Sequence, residues 1–178
     1  MKKKNSNDTL VEHIASIKRV SKTTTGGRKF SVSAYMIVGD KSGRVGYGKG
    51  KAKEVNEAKT KASAKARKSI IRVPLDRGRT IHHDVIGRSG AATVILKRAK
   101  SGKGIIAGGP LRGVFECLGI HDIVAKSLGS RNSYAMVEAV FDALSQLSSR
   151  RAVANKRGKK VGEIMTLNSA RLAREKEK

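Results

Sequence analysis

The stretch Ala52–Val73 reads AKEVNEAKTKASAKARKSIIRV and predicts a long helix that packs on a sheet. Small and aliphatic side chains recur in it at three- and four-residue steps, which places them on one helical face. These positions are Val55, Ala58, Ala62, Ala66, Ile70 and Val73. An alanine-rich face lets a helix lie close to a sheet. Pro74 is expected to end the helix, because proline has no backbone N–H to donate.

Three strands are expected before this helix. Ile14–Val20 alternates between apolar and polar residues, and Phe30–Val38 does the same with Phe30 on the apolar face. Arg44–Gly50 resumes as a glycine-rich strand after a turn, and the polar run Ser21–Lys29 is predicted to be a loop. Residues 10–73 therefore predict an α+β domain with a three-stranded antiparallel sheet and one helix.

Residues 74–150 predict a second small α+β domain with the element order β-β-α-β-α. Two strands joined by Ser89-Gly90 suggest a hairpin, Pro110 suits the first turn of a helix, and Asn132 suits a helix N-cap. The predicted elements are strands Thr80–Arg88 and Ala91–Arg98, a helix from Pro110 to Gly119, strand Asp122–Leu128 and a helix after Asn132. A flexible basic arm is expected over 1–9 and a basic tail over 151–178, with a loop at Arg150–Lys160 followed by a helical segment.

The charge of the chain predicts a polyanionic partner. The 178 residues include 39 Lys and Arg against 14 Asp and Glu, a formal net charge of +25. Such an excess opposes compaction unless a polyanion neutralises it, and nucleic acid is the usual partner. The single Cys117 excludes an internal disulfide and is expected to be buried, and no apolar run reaches the roughly 20 residues of a membrane span. We therefore expect a cytoplasmic protein that binds RNA or DNA and no membrane.

The candidate nucleic-acid contacts lie mainly in the predicted Ser21–Lys29 loop. Its cations, hydroxyls and Gly26-Gly27 pair suit contacts to phosphate and sugar, which position a protein without reading sequence. Glycines in Arg44–Gly50 are expected to let the RNA backbone approach closely. The full candidate set is Arg19, Lys22, Thr23, Thr24, Thr25, Gly26, Gly27, Arg28, Lys29, Arg44, Lys49, Lys51 and Lys53.

Two motifs resemble nucleotide-binding loops and are judged to be coincidental. Gly43–Gly50 nearly matches G-x-x-x-x-G-K-[ST], but Gly50 replaces the final hydroxyl residue. Gly102–Ala107 matches G-x-G-x-x-A, with Asp122 20 residues after Gly102, but the preceding strands indicate a hairpin. His82-His83, predicted on a strand, would point to opposite faces and so form no shared metal site. No catalytic residue, cofactor, metal or small-molecule substrate is predicted, although a nucleotide-dependent enzyme stays as a third hypothesis.

Several motifs in sequence order are similar to those of one protein family. They include Arg19-Val20-Ser21-Lys22-Thr23, Gly26-Gly27-Arg28-x-Phe30-Ser31, Gly43-Arg44-Val45-Gly46-x-Gly48-x-Gly50-Lys51-Ala52-x-Glu54-Val55 and Gly102-x-Gly104-Ile105-Ile106-Ala107-Gly108-Gly109. Over about residues 10–165 this pattern resembles the bacterial-type small-subunit ribosomal protein five family. The resemblance implies a double-stranded-RNA-binding-like first domain and a second domain with a left-handed β-α-β unit.

The resemblance also implies a function. Members of the family are structural constituents of the small ribosomal subunit that bind small-subunit (16S) rRNA, support body–head assembly and influence translational accuracy near the messenger RNA entry side. The implied protein partners are small-subunit proteins four and eight, with Gly104 and Arg112 matching the contact to protein four. The implied spectinomycin-proximal loop comprises Ser21, Lys22, Gly26, Gly27 and Arg28. A free double-stranded-RNA-binding protein or RNA chaperone is the alternative.

Overall fold

The computed structural model describes residues 10–163, which belong to two units. The first unit ends at Leu147 and contains two four-stranded sheets with three helices, and the second begins at Ser148. The predicted arm over 1–9 and the tail beyond residue 163 lie outside the described residues.

The first sheet is antiparallel and has the strand order β1-β2-β3-β4. Its strands are β1 Val11–Thr24, β2 Gly27–Gly39, β3 Arg44–Ala52 and the short β4 Ile71–Arg72. Helix α1, Val55–Lys68, connects β3 to β4. The prediction of a loop at Ser21–Lys29 is wrong, because β1 and β2 stay paired as far as Thr24 and Gly27. A two-residue turn closes this hairpin, since Gly27 adopts a φ of +125° and the Thr24 hydroxyl donates to its carbonyl at 3.0 Å.

Helix α1 is shorter than the sequence predicted. It ends at Lys68 rather than at Val73, and the next residues, Ile71–Arg72, pair with the start of β3. Pro74 therefore follows a strand and does not end the helix.

Glycines on β3 and alanines on α1 bring the strand and the helix into close contact. A Cβ atom on Gly46, Gly48 or Gly50 would lie 2.2–2.3 Å from a carbonyl oxygen of α1. Those carbonyls belong to Ala66, Ala62 and Ala58, the buried positions of the predicted helical face. The expectation that RNA approaches these glycines is wrong, because helix α1 occupies that space.

The second sheet has the order β5-β6-β8-β7 and contains a parallel pair at one edge. Its strands are β5 Val85–Ser89, β6 Ala92–Arg98, β7 Ile105–Ile106 and β8 Ile123–Gly129, and its helices are α2 Gly109–Leu118 and α3 Ser133–Ser145. Parallel β7 and β8 with α2 between them form the β-α-β unit. The two-residue β7 was missed because it is too short to show a sequence period.

The predicted second-domain elements are confirmed in kind, with one shorter than expected. The first strand begins at Val85, so the prediction that His82-His83 lies on a strand is wrong. Pro110 lies in the first turn of α2, which ends at Gly119 with a φ of +86°. The side chain of Asn132 accepts a hydrogen bond from the Tyr134 N–H at 3.3 Å and caps α3, as predicted.

One buried cluster draws side chains from both sheets. Ile37 and Val45 of the first sheet belong to the same cluster as Phe115 and Leu118 of α2. Cys117 lies in this cluster, where burial raises the pKa of its thiol to about 11, which confirms the prediction of a buried residue. A second, smaller cluster lies between α1 and the first sheet.

The second unit contains helix α4, Arg150–Arg157, where the sequence predicted a loop. Ser149 caps this helix by accepting from the Ala152 N–H at 3.1 Å, and Gly158 ends it in the left-handed conformation. These two residues are the signals that the prediction overlooked. Among residues 10–163, no helix has both the length and the apolar character needed to cross a bilayer.

All three tyrosines of the chain meet in one aromatic cluster. The Tyr35 ring centroid lies 5.9 Å from that of Tyr47 and 4.9 Å from that of Tyr134, and Tyr47 lies 4.4 Å from Phe141. Tyr35 and Tyr47 come from the first sheet, whereas Tyr134 and Phe141 come from α3. The cluster therefore joins the two sheet layers, with centroid spacings that suit favourable ring pairing.

We expect the native protein to resist phenol ionisation at pH values where free tyrosine ionises. Burial raises the pKa of Tyr35 and Tyr47, and the hydrogen bond to Glu138, followed by burial, raises the pKa of Tyr134 to about 12. A phenol with a raised native pKa stabilises the fold fully below its unfolded pKa of about 10 and loses that contribution as pH rises toward the native value. Phenolate absorbance in native and urea-unfolded protein measures this, and a native midpoint near pH 10 would contradict it.

Candidate nucleic-acid interface

The outer half of the β1–β2 hairpin projects beyond the rest of its sheet. Strand β3 pairs with β2 only from Val32 toward Gly39, so the segment from Ser21 to Phe30 has no third strand beside it. Nearly every side chain in that segment is exposed. Most of the predicted RNA contacts therefore lie on a two-stranded arm with free faces on both sides.

The strand register divides these predicted contacts between the two faces. Paired residues of antiparallel strands share a face, so Lys22 and Lys29 lie on one side while Thr23 and Arg28 lie on the other. On the first side, Ser33 of β2 pairs with Lys18 of β1 and with Lys51 of β3, and Tyr35 pairs with Lys49 of β3. We call this side the lysine face. It comprises Lys18, Lys22, Lys29, Lys49 and Lys51. The opposite side, toward α1, carries Arg19, Arg28 and Phe30.

Arg44, which the sequence also predicts as an RNA contact, lies apart from the hairpin. It starts β3 next to Gly39, and the 13 residues of β2 separate that end from the hairpin turn by roughly 40 Å at the usual strand rise. Its Nε donates to Asp40 Oδ2 at 2.6 Å, so it stabilises a turn. Lys53 lies between β3 and α1 and is exposed.

A pocket of about 250 Å³ adjoins the lysine face where α3 begins. Lys49 lies over the Tyr134 ring, with its ammonium 5.0 Å from the ring centroid. No carboxylate lines this pocket, whose walls are Ser16, Lys18, Val20, Ser33, Tyr35, Lys49, Asn132 and Tyr134. Sequence reasoning missed Lys18 and Tyr134 as site residues. The two-residue alternation of Lys18 with Lys22 along one strand was the signal that would have found Lys18.

Asp122, just before β8, accepts a hydrogen bond from the segment that precedes β7. It is 2% exposed, and its Oδ1 accepts the Gly104 N–H at 3.0 Å while its Oδ2 accepts from Arg79 at 3.1–3.2 Å. The Gly104 hydrogen bond, and then Arg79, keep the pKa of Asp122 below its usual value. Gly104 has a φ of +74°, and Arg112 is exposed and paired with Glu116 at 2.8 Å on α2.

This arrangement disfavours the nucleotide-binding alternatives. In a dinucleotide-binding turn the glycines follow a strand and open a helix, but here Gly102 and Gly104 precede β7, and both oxygens of Asp122 are already occupied. The P-loop-like run Gly43–Gly50 lies mostly within strand β3 and is pressed against α1. Within residues 10–163, no group of three or more His, Cys, Asp or Glu side chains could hold a metal ion.

Comparison with known proteins gives the family. The models described as "Ribosomal protein S5, N-terminal domain" and "Ribosomal protein S5, C-terminal domain" match residues 10–74 and 87–157. Small ribosomal subunit protein uS5 of Rickettsia massiliae (strain Mtu5) is 58% identical over 168 residues, which cover 94% of this chain and 96% of the relative. The chain belongs to the ribosomal protein S5 family. The uS5 of Rickettsia africae (strain ESF-5) is 59% identical over 163 residues, which cover 92% of this chain and 93% of the relative.

Family membership confirms the broad predictions. This S5 chain is a non-enzymatic structural constituent of the small ribosomal subunit, associated with its rRNA in the cytoplasmic ribosome. Its two-domain α+β architecture is that of the family, with an antiparallel sheet and helix followed by a sheet with two helices.

Proposed function

We propose that this S5 chain binds small-subunit rRNA through the β1–β2 hairpin, with the lysine face on RNA phosphates. The observation that carries the proposal is the distribution of charge on the hairpin. Residues 13–39 contain five Lys and Arg and no Asp or Glu. Among the described residues, no ion pair joins a lysine of the lysine face to a carboxylate. Phosphates are therefore the anions that these lysines are free to bind.

The shape of the hairpin supports the same function. The hairpin is a two-stranded arm with an exposed turn and with exposed side chains on both faces. An arm of this shape can enter a gap between RNA segments. The Thr23 and Thr25 hydroxyls can reach sugar and phosphate oxygens, and such contacts set position rather than read sequence. The pocket beside Lys18 and Lys49 offers room next to this face for part of a nucleotide backbone.

We also propose more specific roles for this protein in the small subunit. We place the hairpin, with Ser21, Lys22 and Arg28, near the spectinomycin site, and we assign the protein a role in body–head assembly and in accuracy near the messenger RNA entry side. Small-subunit proteins four and eight are the proposed protein partners. The exposed position of Arg112 on α2 and the hydrogen bond by which Asp122 holds Gly104 support a contact with protein four.

Replacing Lys22, Arg28 and Lys29 together with alanine is expected to weaken binding to small-subunit rRNA by about tenfold or more. Loss of three phosphate contacts should also reduce the slope of log affinity against log salt by roughly 2–3. Filter binding over a salt series and incorporation into small subunits depleted of this protein measure both effects. The stability of the variant should match wild type, because the three side chains are exposed.

The matched control removes the same charge from helix α1, through alanine at Lys61, Lys65 and Lys68. These exposed lysines belong to α1 and not to the hairpin, so the control should retain most of the affinity and incorporate normally. Equal losses in the two variants would show that only total charge matters and would contradict the hairpin site. Sedimentation of wild type away from small subunits in about 0.5 M salt would favour the free RNA-binding alternative.

A further inference from the structure

Phe30 lies in an unexpected place for a phenylalanine. The sequence placed it on the apolar face of β2 with the core residues, but the structure leaves it 51% exposed, more than any other large apolar side chain in the described part of the chain. The cause is the length of the hairpin. Strand β3 stops pairing at Val32, and the buried residues of β2 begin only at Ala34.

The Phe30 ring carries a cation on one side. The Arg19 guanidinium lies 4.2 Å from the ring centroid, within the range of a cation–π interaction. Within residues 10–163, no ion pair links Arg19 to a carboxylate. The ring is therefore held in place by a positive group that itself has no anionic partner.

The surroundings of this pair favour nucleic acid over an apolar protein surface as its partner. Arg28 and Thr23 lie on the same face of the hairpin, and Lys22 and Lys29 lie just across the two strands. The carboxylates that flank the pair in sequence are Glu12, near the far end of β1, and Asp40, just after β2. Glu12 is already engaged by Ser63 and Arg67, and Asp40 by Arg44. A partner that covers Phe30 must therefore tolerate several cations and present a flat, apolar surface.

We propose that Phe30 and Arg19 form a stacking platform for one unpaired base of RNA. Unpaired bases stack on aromatic rings and on guanidinium planes, and their own phosphates satisfy the neighbouring cations. The proposal rests on the proposed RNA-binding function and adds a contact to a base, whereas the lysine face contacts only phosphates. It assigns different tasks to the two faces of the hairpin.

Phe30→Leu is the decisive variant, because it keeps an apolar side chain but removes the aromatic face. Phe30→Tyr keeps the face and is the matched control. The full-length proteins are titrated at one salt concentration against a single-stranded oligoadenylate and against an RNA duplex of the same length, with fluorescence anisotropy as the readout. Stacking is worth about 1–3 kcal/mol per base, so Phe30→Leu should weaken single-strand binding roughly 5- to 150-fold.

Duplex binding should change little in Phe30→Leu, since paired bases are not available for stacking, and Phe30→Tyr should match wild type with both RNAs. Unchanged single-strand affinity of Phe30→Leu would overturn the platform, as would an equal loss in the tyrosine variant. Failure of the proposed function has a different signature, because the alanine variant of Lys22, Arg28 and Lys29 would then retain duplex binding. Thermal unfolding of Phe30→Leu near the wild-type temperature confirms that folding is intact.

Discussion

Replacing Gly48 with alanine is expected to lower the free energy of unfolding by about 3 kcal/mol, because the new methyl group has no space. A Cβ atom at this position would lie 2.2 Å from the Ala62 carbonyl oxygen and 2.5 Å from the Ala66 nitrogen. Both are backbone atoms of α1, so no side-chain rotation can relieve the overlap. The helix must move away from the sheet, which opens the small cluster around Ala34 and Met36.

Gly26→Ala is the matched control for this prediction. A Cβ atom on Gly26 meets no atom within 4 Å, and the residue lacks a positive φ. The control should therefore unfold within about 0.5 kcal/mol of wild type. For a chain of this length, the Gly48 variant should melt roughly 6–12 °C lower. Calorimetry or denaturant unfolding measures the difference, and equal stabilities would show that the contact between β3 and α1 is looser than the structure indicates.

Replacing Phe115 with alanine is expected to cost about 3–5 kcal/mol of folding free energy. Phe115 is 0% exposed and lies in the cluster shared by both sheets, where truncation leaves a cavity that rigid neighbours fill only in part. The end of α2 is also bonded to the turn after β2, through Lys41 N–H to the Cys117 carbonyl at 2.9 Å and Gly43 N–H to the Leu118 carbonyl at 3.1 Å. Loosening α2 should therefore weaken both sheets together.

Phe30→Ala removes the same side chain from an exposed position and is the control. It should leave the unfolding temperature close to wild type, whereas Phe115→Ala should lower it by roughly 6–20 °C. The effects on RNA binding should be reversed. Phe115→Ala protein that is folded at low temperature should bind like wild type, because its hairpin is intact, whereas Phe30→Ala should bind single-stranded RNA more weakly. A similar loss of stability in both variants would contradict the assignment of Phe30 to the surface.

In the proposed function, the two faces of the hairpin would let a single basic segment hold RNA in one orientation. Lysines on one side and the Arg19–Phe30 pair on the other differ in chemistry, so reversing the hairpin would exchange phosphate contacts for a stacking surface. Arg44 and Asp122, by contrast, are bound within the protein, to Asp40 and to Gly104 with Arg79. Charge alone does not distinguish these two kinds of residue.

Much of the fold could be predicted where a local period is long or a cap is specific. The alanine spacing of α1, Pro110 at the start of α2 and Asn132 before α3 each gave an element of the right kind in the right place. The errors arose at short or polar elements. The two-residue strands β4 and β7 show no period, and the outer hairpin consists of polar residues whose strand pairing depends on backbone hydrogen bonds rather than on side-chain burial.

The site was predicted less completely than the fold. The sequence identified Lys22–Lys29 as a basic segment. It could not show which of these side chains share a face, because that depends on the register between β1 and its partner strand β2. Lys18, Lys49 and Tyr134 come together only because three strands and the start of α3 meet at one pocket. Phe30 was misassigned because alternation shows which side of a strand is apolar, but not where the neighbouring strand ends.

Composition and local spacing were enough to predict a polyanionic partner, the order of the long elements and the motifs of the S5 family. Three facts became known only from the folded structure. Helix α1 packs against the glycines of β3, Arg44 lies far from the hairpin turn, and the hairpin has two chemically different faces. The physical reason is that each of these facts depends on contacts between segments distant in the chain. Such contacts are set by strand register and packing, which no local pattern specifies.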